Sequence, residues 1–234
     1  MDRVVLFSGG MDSTVSLVHT LRKLQCVEKP GRVRALTFDY GQKHKAEIDA
    51  ATAIWQMLFH TPYEHYMASH VVVPIDSNIM PRVGTLLSGE PNRIYMEDSP
   101  PSTEIDPSFI PYRNLLFLTI AAMWARQWRC REVISGLRGG FPDCTPEFEE
   151  KVTECLTLAD PEFSICCTSP THISRAASIE LIKNVPYGLE ALSLSLTCFE
   201  GTEPPCGVCL PCTKRAEGFA QAGIPDPLLE RLNA

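Results

Sequence analysis

The stretch VVLFSGGMDSTVSLVHTL, residues 4–21, decides the fold. A short, partly β-branched apolar run ends at Ser-Gly-Gly, as a buried strand ends at a turn. Apolar residues then recur at three-residue intervals, at Val15, Val18, Leu21 and Leu24. This spacing is typical of a helix, and Asp12, Ser13 and Thr14 stand where caps and first-turn residues are expected. The stretch therefore predicts a strand, a glycine turn and a helix.

The glycine turn at residues 8–10 suggests a ligand. Two glycines flanked by serines remove side chains, so that backbone N–H groups can approach a bound group. The positive end of the following helix favours phosphate. Neither GxxxxGK[ST] nor GxGxxG occurs, so this is not one of those phosphate loops. On shape alone, phosphate binding and simple chain reversal both remain open.

The apolar content of the chain is ordinary for a globular enzyme. The chain has 234 residues and a formal net charge of −7. This length gives one α/β domain with room for a small appendage. The acidic balance argues against a broad nucleic-acid-binding surface, and no apolar run of about 18 residues predicts a membrane span. Because the N-terminus leads directly into a strand, without a cleavable leader, we expect a cytoplasmic protein.

The rest of the chain predicts a doubly wound parallel sheet of the α/β class. Further strands are expected at 33–40, 71–75 and 132–136, and helices at 46–59, 113–129, 147–158 and 173–184. Strands that alternate with helices favour a parallel sheet whose ligands lie beyond the carboxyl ends of the strands. Residues 8–13, 40–44 and 136–143 would then meet at one rim. Residues 76–110 are too long for an ordinary connection and predict a substrate loop or lid.

Four of the ten cysteines cluster near the C-terminus, at Cys198, Cys206, Cys209 and Cys212. In a cytosolic chain this spacing favours a metal over disulfides. Four thiolates complete a tetrahedral zinc site, which is structural because no position stays open. An iron–sulfur cluster also takes four cysteines, and a nucleic-acid-binding zinc ribbon would use the same spacing. Most of the remaining six are expected to be small buried hydrophobes: Cys26, Cys130, Cys144, Cys155, Cys166 and Cys167.

The hexapeptide SGGMDS, residues 8–13, resembles the SGGxDS signature of the PP-loop ATP pyrophosphatases, which have the adenine nucleotide alpha-hydrolase-like fold. In that superfamily the loop grips the pyrophosphate end of ATP, and the enzymes split ATP into AMP and pyrophosphate. The resemblance implies ATP with Mg²⁺ near Asp12. The implied ATP-binding residues are Phe7, Ser8, Gly9, Gly10, Met11, Asp12, Ser13, Thr14 and Arg113.

A narrower resemblance covers nearly the whole chain. SGGMDS is followed in order by DYGQKHKAE (39–47), IPYRNLLFL (110–118), GFPDC (140–144) and CGVCLPCTKRAEGF (206–219), which together look like the 7-cyano-7-deazaguanine synthase family. That family adenylates 7-carboxy-7-deazaguanine, forms an amide with ammonia and dehydrates it to a nitrile in queuosine biosynthesis. The resemblance implies an ATP-dependent carbon–nitrogen ligase, with 1–190 as the PP-loop domain and 191–234 as a zinc-binding segment. We also expect a homodimer.

The resemblance assigns roles residue by residue. Asp12, Ser13, Lys43 and His44 are the expected catalytic residues, although Lys43 and His44 would equally suit a solvated helix entry. Without ligand contact, Arg113 would be a surface charge and Asp143 a residue of a Pro-Asp turn. The expected substrate-binding residues are Tyr40, Gln42, Tyr112, Arg113, Asn114, Phe141, Asp143 and Arg175.

Three departures from the family pattern stand out. Tyr112 replaces the glycine of VPGRN, the loop 136–140 is shorter and carries Arg138 where acids are usual, and residues 174–177 read SRAA instead of S/N-K-A-E. They suggest a paralogue with retained activation chemistry. Such an enzyme would join the activated carboxylate to another amine, for example a protein N-terminus, in a specialised or antiviral defence pathway. Two further hypotheses are a PP-loop tRNA thiolase and a non-catalytic nucleotide-binding module with a zinc ribbon.

Overall fold

The computed structural model describes residues 1–76, 78–79 and 109–233, so most of the predicted loop or lid at 76–110 lies outside the described residues. In this part of the chain, five strands form one parallel sheet in the order β3-β2-β1-β4-β5. The strands are β1 (Arg3–Leu6), β2 (Val33–Asp39), β3 (Met67–Pro74), β4 (Glu132–Ile134) and β5 (Cys166–Thr168). The sequence pattern did not predict β5, which has only three residues.

Helices connect the strands and continue beyond the last one. They are α1 (Met11–Gln25), α2 (Ala46–Phe59), α3 (Arg113–Trp128), α4 (Pro146–Ala159), α5 (Arg175–Ile182), α6 (Gly188–Leu194), α7 (Leu210–Ala222) and α8 (Pro227–Asn233). Short 3-10 helices cover Pro62–Tyr66 and Pro142–Cys144. The predicted α1 to α5 are present with shifts of one or two residues at their ends. Within the described residues, no helix is long and apolar enough to span a membrane.

Both faces of the sheet carry helices, which confirms the doubly wound α/β fold. Alternate residues of a strand point to opposite faces. Val5 packs in a core with α1, α2, α5 and α6, whereas its neighbour Val4 packs in a second core with α3 and α4. The central strands β1 and β2 are therefore covered by helices on both faces, whereas the edge strands β3 and β5 keep exposed residues such as Val72 and Cys166.

The strand order reverses between β1 and β4, which pair in parallel next to each other. In open α/β sheets this switch point leaves a crevice beyond the carboxyl ends of the strands. β1 leads there into the glycine turn, and β4 leads into the loop 135–140. A Cβ on Gly136 would lie 2.7 Å from the backbone nitrogen of Ser13, so the loop rests directly on the first turn of α1.

Two expectations about individual residues are corrected. α1 begins at Met11 after Gly10, which forms no side-chain cap, so Asp12, Ser13 and Thr14 are first-turn residues and not caps. The Ser13 and Thr14 hydroxyls instead donate to the Gly10 carbonyl. Only three of the six scattered cysteines are buried, not most of them: Cys130, Cys144 and Cys167 are buried, and Cys26, Cys155 and Cys166 are exposed.

Candidate functional site

The turn between β1 and α1 requires glycine at position 9. Gly9 has φ +86°, and a Cβ there would lie 2.2 Å from the carbonyl oxygen of Glu47 and 2.5 Å from the backbone nitrogen of Ala51. Positive φ is a conformation that residues with a Cβ rarely adopt. The turn is therefore pressed against the first turns of α2, which leaves its other side free to face the crevice.

Two serine hydroxyls organise this turn. Ser13 Oγ accepts a hydrogen bond from the Ser8 backbone N–H at 3.2 Å and lies 3.1 Å from Ser8 Oγ. Ser8 Oγ in turn accepts from the Gly10 N–H at 3.2 Å. Both N–H groups are thus bonded within the turn, and the hydroxyls fix its shape at the positive end of α1. The N–H groups of the first turn of a helix have no partner within the helix, and together with the helix dipole they form a ready-made site for an anion.

A cavity of about 520 Å³ opens from the turn along the crevice. Most of the residues expected at the site line it: Phe7, Ser8, Gly10, Met11, Asp12, Ser13, Tyr40, Gln42, His44, Arg113, Asn114, Phe141 and Arg175. Five other expected residues, Gly9, Thr14, Lys43, Tyr112 and Asp143, are not part of its lining. Thr14 is fully buried beneath the turn, and Lys43 is exposed.

The Asp12 carboxylate is held by two arginines. Its Oδ1 accepts from Arg138 Nη2 at 2.7 Å and from Arg138 Nε at 3.0 Å, and its Oδ2 accepts from Arg175 Nη2 at 3.3 Å. Magnesium prefers carboxylate oxygens that can enter a strict octahedral shell. Because both oxygens already bind guanidinium groups, Asp12 does not fit as a magnesium ligand.

A buried polar network supports the loop that carries Arg138. Glu149 accepts a 2.6 Å bond from Ser135 Oγ and lies 2.7 Å from His172 Nε2, and only 4% of its side chain is exposed. Ser135 Oγ accepts from the Leu137 N–H, and the Ser135 carbonyl accepts from Ser16 Oγ of α1. These bonds tie the end of β4 to α1 and α4, so the loop is held firmly against the head of α1.

His44 and Glu47 form a buried pair at the other side of the cavity. His44 Nε2 lies 3.7 Å from Glu47 Oε2. Burial, helped by the nearby Arg113 charge, lowers the pKa of His44 to about 4. Burial raises the pKa of Glu47 to about 8, with Arg113 opposing this shift. Burial therefore disfavours the charged form of both groups, so this is not a conventional ion pair.

The head of α3 brings Arg113 and Asn114 to the cavity. The Arg113 guanidinium lies 6.0 Å from the centre of the Tyr40 ring. Asn114 Nδ2 donates to the Asp143 carbonyl at 3.3 Å and to Cys144 Sγ at 3.2 Å. Asp143 is buried behind the cavity wall, and its Oδ2 has no partner among the described residues.

Tyr112 stands at an unusual backbone position just before α3. Its φ is +65°, in the left-handed region, and 78% of the residue is exposed. A glycine would adopt this conformation without strain, whereas for a residue with a Cβ it costs about 1–2 kcal/mol. The departure from VPGRN therefore places a tyrosine at a position whose backbone favours glycine.

The four clustered cysteines come together. Their Sγ atoms all lie within 4.8 Å of one another. The N–H groups of Cys206 and Cys209 point at sulfur atoms, to Cys198 and Cys206 respectively, at 3.4 Å. Burial acts to raise the pKa of Cys198, but hydrogen bonds from Cys206 and Thr202 bring it down to about 6. Burial raises the pKa of Cys209 and Cys212 in the metal-free chain. Four sulfur atoms at this spacing are the donor set of a tetrahedral metal, which binds cysteines as thiolates, so the donor set fits.

The fold and the site together define a class. This is an α/β protein with a glycine turn at the switch point of a parallel sheet and a cluster of four cysteines that could hold a metal. The chain belongs to the family described as Queuosine biosynthesis protein QueC, whose model matches residues 2–223. This confirms the family to which the sequence motifs pointed.

Curated relatives cover almost the whole chain. A 7-cyano-7-deazaguanine synthase from Chromobacterium violaceum is 36% identical, over 99% of this chain and 94% of the relative. Proteins of the same name from Laribacter hongkongensis and Thermoplasma volcanium are 34% and 32% identical, over 98% and 96% of this chain and 94% and 89% of the relatives. The family and these relatives support an enzyme of queuosine biosynthesis.

Among solved structures, the U34-tRNA thiolase NcsA from Methanococcus maripaludis, described with its 4Fe-4S cluster, aligns with a TM-score of 0.46 and 14% identity. The alignment covers 94% of this chain and 65% of that chain. This likeness is too weak to support a conclusion about substrate or metal.

Several residues that line the cavity were not among the expected site residues. Glu47, Arg138, Phe199 and Lys214 are four of them. The sequence did single out Arg138, because this cation stands in the shortened loop where the family pattern has acidic residues. Glu47 gave no such signal, since an acidic residue in the first turn of a helix is ordinary.

Proposed function

We propose that this chain activates the carboxylate of 7-carboxy-7-deazaguanine with ATP and converts it into an amide with ammonia. The observation that carries the proposal is the shared cavity: the glycine turn, the two serines and Arg113 line one space at the head of α1. The names of the curated relatives support the choice of substrate.

The proposed first step forms an acyl adenylate. A carboxylate oxygen of the substrate attacks the α-phosphorus of ATP, the bond to the bridging oxygen breaks, and pyrophosphate leaves. The Ser8 hydroxyl and the N–H groups of the first turn of α1 would bind the leaving pyrophosphate, and their alignment before binding lowers the cost of charge stabilisation. Ser13 would hold the turn in shape through its bonds to Ser8 and Gly10. Arg113 would form a bidentate contact with the phosphate or the carboxylate.

The proposed second step transfers the acyl group. Ammonia attacks the acyl carbon, AMP leaves with the former carboxylate oxygen, and a proton is lost from nitrogen. His44 lines the cavity and would be the nearest imidazole for this proton. Its lowered pKa makes it a weak base in the free protein, so a nearby phosphate charge would have to raise that pKa before it accepts the proton. Dehydration of the amide to 7-cyano-7-deazaguanine would use a second ATP in the same way. The exposed Lys43 has no assigned part in these steps.

The substrate base would lie farther along the cavity. Tyr40, Phe141 and Asn114 line this part. The proposed role of Gln42 is to shape the wall, because its side chain is engaged with the Tyr40 N–H and the Phe38 carbonyl. Asp143 would require a small movement before its free oxygen could accept a base N–H.

The proposed metals have separate roles. Zinc at the four cysteines would supply folding energy to a segment with only a small apolar core. Magnesium that enters with ATP would be bound by the phosphates, since Asp12 is engaged by arginines. The resemblance also supports a cytoplasmic protein that forms a homodimer. Light scattering tests the homodimer, which should have twice the mass of one chain.

A second candidate is amide formation with a different amine. The exposed Tyr112 beside Arg113, at a position where the synthase pattern has glycine, favours it. Mass spectrometry after incubation with ATP, ammonia and 7-carboxy-7-deazaguanine separates the two. Efficient formation of the nitrile would contradict a changed acceptor, and a deazaguanine amide on a protein or other amine would contradict the plain synthase.

The activation step is tested by Ser13→Ala, with Ser193→Ala as the matched control. Ser193 lies in α6, and among the described residues its hydroxyl donates only to the Glu190 carbonyl of the same helix. We expect Ser13→Ala to abolish substrate-dependent AMP formation while thermal unfolding stays near that of the wild type, and the control to keep full activity. Full turnover of a folded Ser13→Ala variant would remove the turn from the mechanism.

A further inference from the structure

Two cations converge at the head of α1, and one of them belongs to the loop that departs from the synthase pattern. Arg138 lies in that loop, and Arg175 is the first residue of α5. They approach the Asp12 carboxylate from different elements and both line the cavity beside the glycine turn. Two guanidinium groups and one carboxylate leave a net charge of +1 at this point.

Arg138 is fixed by further bonds. Its Nη2 donates to Ser178 Oγ at 2.7 Å, and its Nη1 donates to the Ile173 carbonyl. About 15% of its side chain is exposed. A guanidinium has five N–H groups, and four of them are used in these bonds and those to Asp12. Within the described residues, one Nη1–H stays without a partner.

Arg175 is less constrained by hydrogen bonds. Among the described residues its guanidinium donates only to Asp12, at 3.3 Å, so most of its N–H groups are available. Its aliphatic part packs against Gly218 of α7, where an added Cβ would lie 2.8 Å from Arg175 Cγ. The arginine stem is therefore held by packing while its charged end faces the cavity.

This geometry suits a phosphate group more than a metal ion. Among the described residues, Arg175 keeps enough free N–H groups for a parallel pair of bonds to a phosphate, and Arg138 adds one free N–H and a fixed positive charge. A guanidinium keeps its charge at every accessible pH. A carboxylate that already accepts from two guanidinium groups has little left to offer a divalent cation. The positive end of α1 adds to the same field.

We propose that Arg138 and Arg175 bind the pyrophosphate end of the nucleotide with charge fixed in the protein, and that Asp12 positions these two arginines instead of a divalent cation. The identity of the nucleotide rests on the proposed function. Binding of pyrophosphate itself does not, because it needs neither the acyl substrate nor turnover.

The test is calorimetric titration of the full chain with inorganic pyrophosphate, in buffer freed of divalent ions and again with magnesium. We expect the wild type to bind without magnesium. Arg138→Gln should bind at least about tenfold more weakly in the magnesium-free buffer. Added magnesium should strengthen binding more in this variant than in the wild type, because Asp12 is partly released.

Two further variants separate binding from a structural role. Arg126→Gln removes a guanidinium from a comparable arginine–aspartate pair, the one with Asp160, outside the cavity, and should bind pyrophosphate like the wild type. Arg138→Lys keeps the charge but loses the planar fork, so it should bind pyrophosphate more weakly than the wild type and more tightly than Arg138→Gln.

Three results would overturn the proposal. They are wild-type binding that requires magnesium, unchanged binding by folded Arg138→Gln, and a loss in Arg138→Lys as large as in Arg138→Gln. The wild-type titration tests the proposal even if a variant fails to fold, because it shows whether pyrophosphate binds without magnesium. Tight magnesium-free binding of pyrophosphate without AMP formation from the acyl substrate would contradict the proposed function and leave this inference standing.

Discussion

Substitution of Gly9 by alanine tests whether the glycine turn is packed against α2. The Gly9 backbone is left-handed, and an added Cβ would overlap the Glu47 carbonyl oxygen and the Ala51 nitrogen, both backbone atoms that cannot rotate away. Left-handed strain costs about 1–2 kcal/mol. Forcing a methyl group into a filled space adds about 1–3 kcal/mol. We therefore expect Gly9→Ala to lower the free energy of unfolding by about 2–5 kcal/mol.

Gly223→Ala is the matched control. Gly223 also has positive φ, at +68°, but no atom lies within 4 Å of an added Cβ, so only the strain of about 1–2 kcal/mol is expected. Urea unfolding followed by circular dichroism gives both free energies on one scale. If Gly9→Ala loses no more stability than Gly223→Ala, the turn does not lie against α2 and the reasoning is wrong.

Three other predictions concern the metal, a buried ion pair and pH. Cys212→Ser should abolish the binding of one zinc per chain and lower the melting temperature, and metal analysis that finds no metal, or iron with sulfide, would refute the zinc assignment. Arg215→Met should cost about 3–5 kcal/mol, because it leaves Asp226 charged and buried, and a loss below about 1 kcal/mol in urea unfolding would show that the pair contributes little. Burial lowers the pKa of His70 to about 4, so the unfolded chain gains a proton near pH 6.5 that the folded chain does not bind. The His70 contribution to stability should therefore fall by up to about 3 kcal/mol as pH drops from 6.5 to 4. His44 and Glu47 contribute separately over this range, so the test is the difference between the wild type and His70→Gln; an unchanged pH dependence in the variant would contradict the assignment.

The sequence predicted the first half of the fold well, because each element there has a strong periodic pattern. Residues 4–21 contain a buried strand, a glycine turn and an amphipathic helix, and the structure has all three. β5 was missed because three residues are too few to show a period. α7 was hidden by the cysteine motif, since Pro211 and Cys212 suggest a turn although proline is well tolerated at the start of a helix.

The candidate site could be predicted as a set of loops but not as a set of contacts. The rule that ligands lie beyond the carboxyl ends of parallel strands brought residues 8–13 and 136–143 together. The pairing of Asp12 with Arg138 and Arg175 was not predictable, since it joins residues more than 120 positions apart through three separate elements. Such pairings depend on the packing of α1 against α5 and on the exact length of the loop after β4.

Division of the chain at residue 190 stays a prediction. The later segment does not stand alone in the structure, because Leu196, Cys198 and Cys212 share a small apolar cluster with Ala46 and Ala50 of α2. The Leu196 N–H also donates to the Gly9 carbonyl at 3.1 Å. The cysteine segment therefore supports the glycine turn, and Cys212→Ser should also change the cavity.

The most direct test of the central claim follows the oxygen atoms. The wild-type chain is incubated with ATP, ammonia and 7-carboxy-7-deazaguanine whose carboxylate carries ¹⁸O, and the products are analysed by mass spectrometry. Adenylation predicts that ¹⁸O appears in AMP, because the acyl carbon–oxygen bond breaks when ammonia attacks, and that AMP and pyrophosphate form together. Label in inorganic phosphate together with ADP, or AMP that forms without ¹⁸O, would contradict the account.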